Sequence, residues 1–547
     1  MLMKIGPEEG KIMDLQLIYQ QNASAENLCS FLSDIYDQVK IDEISIGGLN
    51  HLLIKILDPQ SKIRKSLNTF KSVNNCLDEE TLTDILKANN INLIDEEGLI
   101  RSYEVLICDL DILSIRQVYQ GRNNKPKYLR ESENPKLSEL AKRIFLITGL
   151  DIGLVRLAYT TRRRLRVIGV DPSPILRKRE LNQILNRIDE IRDLDKILPT
   201  TNVKLGADPE FMIFNSKTNR LLSASRFFPR DGLVGCDNIR MQNRQQRPVA
   251  ELRPNPSSCP LRLSDNIKQA LDSANRMAPY QNVKWVAGSQ PGGAYSIGGH
   301  IHFSNIRLTA NIIRALDNYL AIPIFLIEEP VSAARRRRRY GYLGDYRVKD
   351  YGGFEYRTPA SWLVSQEITI AVLCLAKIIA SSYYMLSKNF LNSVEAQRAF
   401  YTGNQDFLRP VFPELWADIK KTEMYMKYEE ELQIIPELIF NKNTWNEKSD
   451  LRKAWKLKTT ARRHLRSSSD SYSRRSSVSQ VSTTRPPAAT RVNTRSTSRR
   501  IGTSGSRNST RVSTTSGRVV SNPARSNNSR PERIITSAQV RRTHVVR

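Results

Sequence analysis

The stretch Gly298-Gly299-His300-Ile301-His302-Phe303 sets the reading of this chain. The whole sequence holds five histidines, and two of them stand here, one residue apart. Three other motifs repeat the same spacing: Asp208-Pro209-Glu210-Phe211, Glu251-Leu252-Arg253-Pro254 and Glu355-Tyr356-Arg357-Thr358-Pro359. Successive side chains on a strand point to opposite faces, so polar residues at i and i+2 share one face. Four such pairs in apolar settings describe a sheet that gathers carboxylates, imidazoles and guanidiniums on one side. That combination suits a metal ion and a phosphate.

Outward from these motifs, 203–205, 211–214, 249–252, 283–287 and 301–303 read as short strands. The segments 309–328 and 365–386 have helical apolar spacing, with a Gly/Arg/Tyr-rich stretch, 335–353, between them. Short strands followed by long helices predict an α+β domain over 203–390, an antiparallel sheet with helices on one face. A helical extension, 391–455, packs on it. Residues 1–195 read as a separate mixed α/β accessory domain. Helices are expected at 25–39, 80–88, 138–148 (stopping at Gly149) and 177–195, a strand at 103–111, and a hairpin from 154–159 and 165–170. From 456 to 547 the sequence is Ser, Thr, Arg, Asn and Pro with almost no aromatics, a composition expected to stay disordered.

Charge separates the parts further. The net charge is +28, and 461–547 alone carries nineteen Arg and no Lys against Asp470 and Glu532, so this tail supplies more than half of the excess. Nucleic acid or an acidic surface is the partner such a tail would hold, although it lacks aromatics to stack on bases. The six cysteines are scattered without a CxxC, which excludes common zinc and redox motifs and predicts free thiols in a reducing compartment. No signal-like segment and no uninterrupted apolar run of about 18 residues is present, so no membrane association is expected. The nearest run, 368–386, is interrupted by Lys377 and reads as a buried helix.

Each motif has a plainer reading. Asp208 and Glu210 flank a proline and fit a solvated acidic turn as well as a metal site. Glu251 and Arg253 fit a surface ion pair, although Pro254-Asn255-Pro256 pins them at a strand end. The five arginines 335–339 read mostly as a solvated basic face. Arg347 stands apart, in the glycine-punctuated Gly341-Tyr342-Leu343-Gly344-Asp345-Tyr346-Arg347, where a guanidinium can grip a phosphate through two hydrogen bonds. Acids collect cations and arginines collect anions. A site with both handles a metal–nucleotide complex, as phosphoryl transfer requires. The chain has neither a Walker A loop nor GxGxxG. Two alternatives remain beside phosphoryl transfer: a non-catalytic binding protein relying on the tail, and a metal-dependent hydrolase built on His300 and His302.

The ordered set GADPEF (206–211), AELRPNP (250–256), GGHIHF (298–303), RYGYLGDYR (339–347) and GGFEYRTPASWL (352–363) resembles the phage-associated carboxylate–amine ligases, the type 2 amidoligases, distant relatives of glutamine synthetase and glutamate–cysteine ligase. The resemblance covers about 203–390. It implies a glutamine synthetase-like curved sheet, ATP and Mg²⁺ as cofactors, and amide formation through an acyl phosphate, in the cytoplasm of a bacterial cell or a phage-infected host. It implies metal binding by Asp208, Glu210, Glu251, His300 and Glu355, and nucleotide binding by Arg347, Arg357 and His302. It implies catalytic roles for Arg347, Arg357, His300 and, more weakly, Arg339. Asp237 is placed near the incoming amine. Substrates are a small-molecule or peptide carboxylate and an amine, and ring assembly in some relatives leaves oligomerisation open. A fainter similarity links 149–153 and 170–174 to the closing segment of ATP-grasp ligases. Gly169 and Asp171 stand where that segment has its Glu-x-Asn pair, so a strand pair with a proline exit fits equally well.

Overall fold

The structure is a computed structural model and describes residues 15–57, 65–94, 99–118, 126–192, 202–242, 244–293 and 295–458. The tail from 459 onward, with its expected disorder and its proposed partners, lies outside the described residues.

Residues 15–192 carry two sheets. In the first, the strands Val39–Ile46, Leu49–Ile56, Leu15–Gln20 and Lys65–Leu67 lie side by side in that order. In the second, Lys127–Leu129, Asp111–Val118, Leu99–Cys108, Ile152–Thr160 and Leu165–Asp171 form an antiparallel sheet that includes the expected hairpin. The expected helix at 25–39 is too long. The helix spans Ala23–Ile35, and Val39 already starts a strand. Gly47 and Gly48, at φ +59° and +77°, close that strand onto Leu49–Ile56 in a two-residue turn. Such a turn needs positive φ twice, and the Gly-Gly pair is its sequence signal.

The second region holds two antiparallel sheets where one was expected, and its parts share one core. Lys204–Ala207, Ile301–Ser304, Phe354–Tyr356 and Tyr346–Val348 form one sheet. Glu210–Asn215, Val249–Leu252, Val234–Cys236, Leu221–Leu222 and Val283–Val286 form another, and every pairing in both is antiparallel. The two sheets meet at Asp208-Pro209. Proline cannot donate to a ladder and tolerates a sheet only at an edge or a break. Across the break, Asp208 N donates to His300 O and Glu210 N to Gly298 O, so the surface curls without ending.

Three helices back this surface. Pro260–Met277 buries Leu263, Ile267, Ala270, Leu271 and Ala274 at helical spacing. Residues 309–328 form one helical run, capped by Thr309, whose central turn Leu316–Ala321 is π-helical. This run is long and apolar enough to cross a membrane, yet 89% of it is buried in the protein. Gln366–Ser382, capped by Ser365, is buried nearly all round, as expected for the 368–386 run. The helices of 394–454 share the same apolar core, with Phe400, Phe412, Trp416 and Trp455 packed among residues of the sheet region. Residues 391–455 are therefore part of the body of this region.

Candidate active site

Strand register lines up the motifs. His302 pairs with Gly206 on one side and Glu355 on the other, and Glu355 pairs with Arg347. Gly206, His302, Glu355 and Arg347 thus form one row across four strands, with the side chains of the last three on one face. Two residues along, Asp208, His300 and Arg357 stand on the same face. Gly298 and Gly299 make this possible. A Cβ on Gly299 would sit 2.5 Å from the Ala360 carbonyl, and one on Gly298 would collide with the His300 ring.

The face forms one wall of a cleft of about 870 Å³, which Asp237, Glu251, Arg253, Tyr340 and Tyr351 also line. His300 Nδ1 lies 2.9 Å from Asp208 Oδ1 and 3.3 Å from Glu355 Oε1, while its Nε2 meets the Tyr340 hydroxyl. His302 Nε2 is 3.1 Å from Asp208 Oδ2, and its Nδ1 is 3.1 Å from the Tyr351 hydroxyl. Glu355 is 1% exposed and faces three cations. Lys349 Nζ lies at 2.5 Å, Arg357 Nε at 3.2 Å and Arg347 Nη1 at 3.6 Å.

Electrostatics follow from burial. Burial favours the neutral form of Asp208, but His300 and His302 beside it hold its carboxyl below the usual range. Burial and Asp208 push Glu355 up, yet His300 and Lys349 prevail and keep it ionised more readily than a free glutamate. Glu251 is pushed up to about 7 by burial and by Asp208, against the pull of Arg253. Glu210 is pushed up as well, through burial and the nearby Asp237, Glu251 and Asp208. Carboxylates that raise one another's proton affinity in this way are a place for a cation.

The residues fit a divalent ion. Ligand atoms of Asp208, His300 and Glu355 all lie within 4.8 Å of one another. Glu355 Oε2 and His302 Nε2 are buried and lack a well-aligned hydrogen bond, although charged groups stand close to both. Carboxylate oxygens suit Mg²⁺ or Mn²⁺, and an imidazole among them is more at home with the latter.

The predicted residues divide. Asp208, Glu251, His300, His302, Arg347, Glu355, Arg357 and Asp237 all line the cleft. Glu210 does not. It is 2% exposed, paired in register with Glu251 and so on the same face but covered, and its Oε2 accepts the Gly298 N–H at 2.7 Å. One oxygen of the carboxylate expected to bind metal is therefore taken by the backbone. Glu251 stands on the wall but outside the tight trio, and Arg253 holds its carboxylate. Arg339 is exposed and does not line the cleft, so the weaker catalytic expectation for it is not met.

The solvated-face expectation for 335–339 fails at two positions. Arg336 and Arg337 are 1% and 3% exposed. Arg336 donates to the carbonyls of Ile297, Arg357, Thr358 and Pro359, tying the approach to His300 to the segment after Glu355. Arg337 pairs with buried Glu328 and lies over the Phe400 ring. Tyr340, Lys349 and Tyr351 were missed. Lys349 follows Arg347 at i+2, the same-face spacing that picked out the other pairs, and both tyrosines fall in the Gly/Arg/Tyr-rich stretch.

Residues 205–457 match the sequence family described as "Phage phiEco32-like COOH.NH2 ligase-type 2". No curated protein matches the chain. Similar solved structures include a bifunctional glutathione synthetase from Pasteurella multocida, at 11% identity and TM-score 0.31 over 49% of this chain and 53% of that one. The macrocyclase MdnB from Microcystis aeruginosa MRC matches at 10% identity and TM-score 0.21, over 33% of this chain and 97% of its own. GmaS without ligand matches at 13% identity and TM-score 0.24, over 64% and 99%.

Proposed function

We infer that residues 205–457 are an ATP-dependent carbon–nitrogen ligase that joins a carboxylate to an amine. Two things support this: the family match and the opposed charges of one cleft. The observation that carries the reading is Glu355, buried between a trio sized for a metal ion and three cations suited to phosphate oxygens.

In this reading Asp208, His300 and Glu355 hold a divalent cation, which supplies charge neutralisation to the triphosphate when bound. Arg347, Lys349 and Arg357 grip the transferring phosphoryl group from the other side, and positioning with charge neutralisation is most of what phosphoryl transfer needs. A substrate carboxylate oxygen bonds to the γ-phosphorus as the bond to the β-phosphate oxygen breaks, releasing ADP and leaving an acyl phosphate. The amine nitrogen then bonds to the acyl carbon, and inorganic phosphate departs with the bonding pair. The proton lost by nitrogen passes to a cleft carboxylate. Glu251, with its proton affinity near neutrality, suits that task. His300 is held in place by Asp208 and Tyr340 and orients the trio. ATP use and six free thiols fit a cytoplasmic setting.

The test is a screen of carboxylate and amine pairs for ADP release with ATP and Mg²⁺ or Mn²⁺. A productive pair should carry a heavy-oxygen label from its carboxylate into inorganic phosphate. Turnover of a bond without nucleotide would replace the ligase by a hydrolase working through His300 and His302. ADP release without label transfer would remove the acyl phosphate.

A further inference from the structure

A second cavity, of about 550 Å³, opens at the seam between residues 15–192 and 202–458 and shares no lining residue with the ligase cleft. Both halves build it. Lys65 and Lys71 come from the N-terminal part, and Arg314 and Lys388 from the other. Among the described residues the one acid on its wall is Asp151, which is 1% exposed.

The charges do not balance on this wall. Asp151 Oδ1 lies 2.9 Å from Arg314 Nη1 and 3.8 Å from Lys65 Nζ, so one carboxylate serves two cations. Asp109 helps behind the wall, at 3.5 Å from Lys65, but it also binds Arg187. Lys388 leans on Glu414 and Asp418, at 3.4 and 3.3 Å, and neither of them lines the cavity. Lys71 is exposed and makes no ion pair among the described residues. Arg314 Nε is buried without a hydrogen-bond partner.

The neutral groups add donors. Asn389 Oδ1 already accepts from Asn318, and Asn392 Oδ1 from Asn75, which leaves the two amide nitrogens as their free valences. Four cations, one shared carboxylate and spare N–H groups around one cavity favour an anionic ligand. We propose that this seam binds a small polyanion carrying phosphate or carboxylate groups. Because its contacts come from both halves, the bound anion ties the N-terminal region to the ligase region.

The experiment uses the full chain without nucleotide or metal, which separates it from the ligase reading. Pyrophosphate and citrate are titrated calorimetrically into wild type, into a Lys71→Ala/Lys388→Ala double variant, and into Arg347→Ala, which alters only the ligase cleft. Both lysines of the double variant reach the surface, and circular dichroism verifies its fold. The proposal expects wild type and Arg347→Ala to bind alike, and the double variant to bind about tenfold more weakly or less. It also expects the anion to raise the melting temperature of wild type but not of the double variant. Binding by pyrophosphate alone identifies a phosphate ligand, and binding by citrate alone a carboxylate one. No heat with either probe, or binding lost in Arg347→Ala and kept in the double variant, overturns it.

Discussion

The Tyr340 hydroxyl meets His300 Nε2 and also accepts from Arg357 Nη2 at 3.1 Å, so one phenol joins the imidazole of the proposed metal trio to an arginine of the proposed phosphate grip. The Arg357 guanidinium also lies 4.9 Å from the centre of the Tyr340 ring. Tyr340→Phe keeps the ring and removes both hydrogen bonds. ADP release should fall about tenfold to a hundredfold, as for loss of a proton-linked positioning contact. Stability should drop by only about 1 to 2 kcal/mol in urea melts. A variant with full turnover would show that the bridge does not orient His300.

Glu355→Gln removes the charge that the trio and the three cations share. Mn²⁺ affinity, read by electron paramagnetic resonance, should fall sharply. ADP release should drop about a hundredfold or more, the scale seen when one charge-stabilising contact is lost. Unchanged Mn²⁺ binding would remove Glu355 from the metal site.

Two arginines of one basic stretch should respond in opposite ways. Arg336 is buried and serves four carbonyls, so Arg336→Met removes a donor from each, and among the described residues only the Pro359 carbonyl keeps another, the Gly299 N–H. It should cost at least about 3 kcal/mol of stability. Arg347 has a side chain 56% exposed, so Arg347→Ala should change stability by no more than about 0.5 kcal/mol while raising the KM for ATP. Denaturant melts beside ATP titrations separate the two.

Asp317 gives a pH signature. It sits in the π-helical turn, where its Oδ1 accepts from the Tyr356 hydroxyl at 2.6 Å and from Gly344 N at 3.2 Å. Burial pushes its carboxyl up from 3.8 to about 7, and the Tyr356 hydrogen bond offsets only part of that. The folded state therefore holds this proton where the unfolded chain has lost it. Its contribution to stability is full below the unfolded value and declines as pH rises, until it is exhausted near 7. Between about pH 5 and pH 8 wild type should lose about 2 to 3 kcal/mol more than Asp317→Asn. Equal slopes for the two proteins would contradict a proton held at Asp317.

The i, i+2 spacing of Glu355/Arg357 and His300/His302 was enough to predict a shared strand face, because side-chain alternation is a local property of the backbone. The helices 309–328 and 365–386 were legible for the same kind of reason, since their apolar period needs no partner to be seen. The ordered motifs also named the family that residues 205–457 match. Which residues of those motifs reach the cleft was settled by tertiary structure. Register put Glu355 beside His302 and Arg347, while Glu210, past the break at Asp208-Pro209, is covered and accepts the Gly298 N–H. Sequence composition made 335–339 look solvated, yet the carbonyls of 357–359 draw Arg336 inside. Burial depends on what the rest of the chain brings to a side chain, and no local pattern carries that.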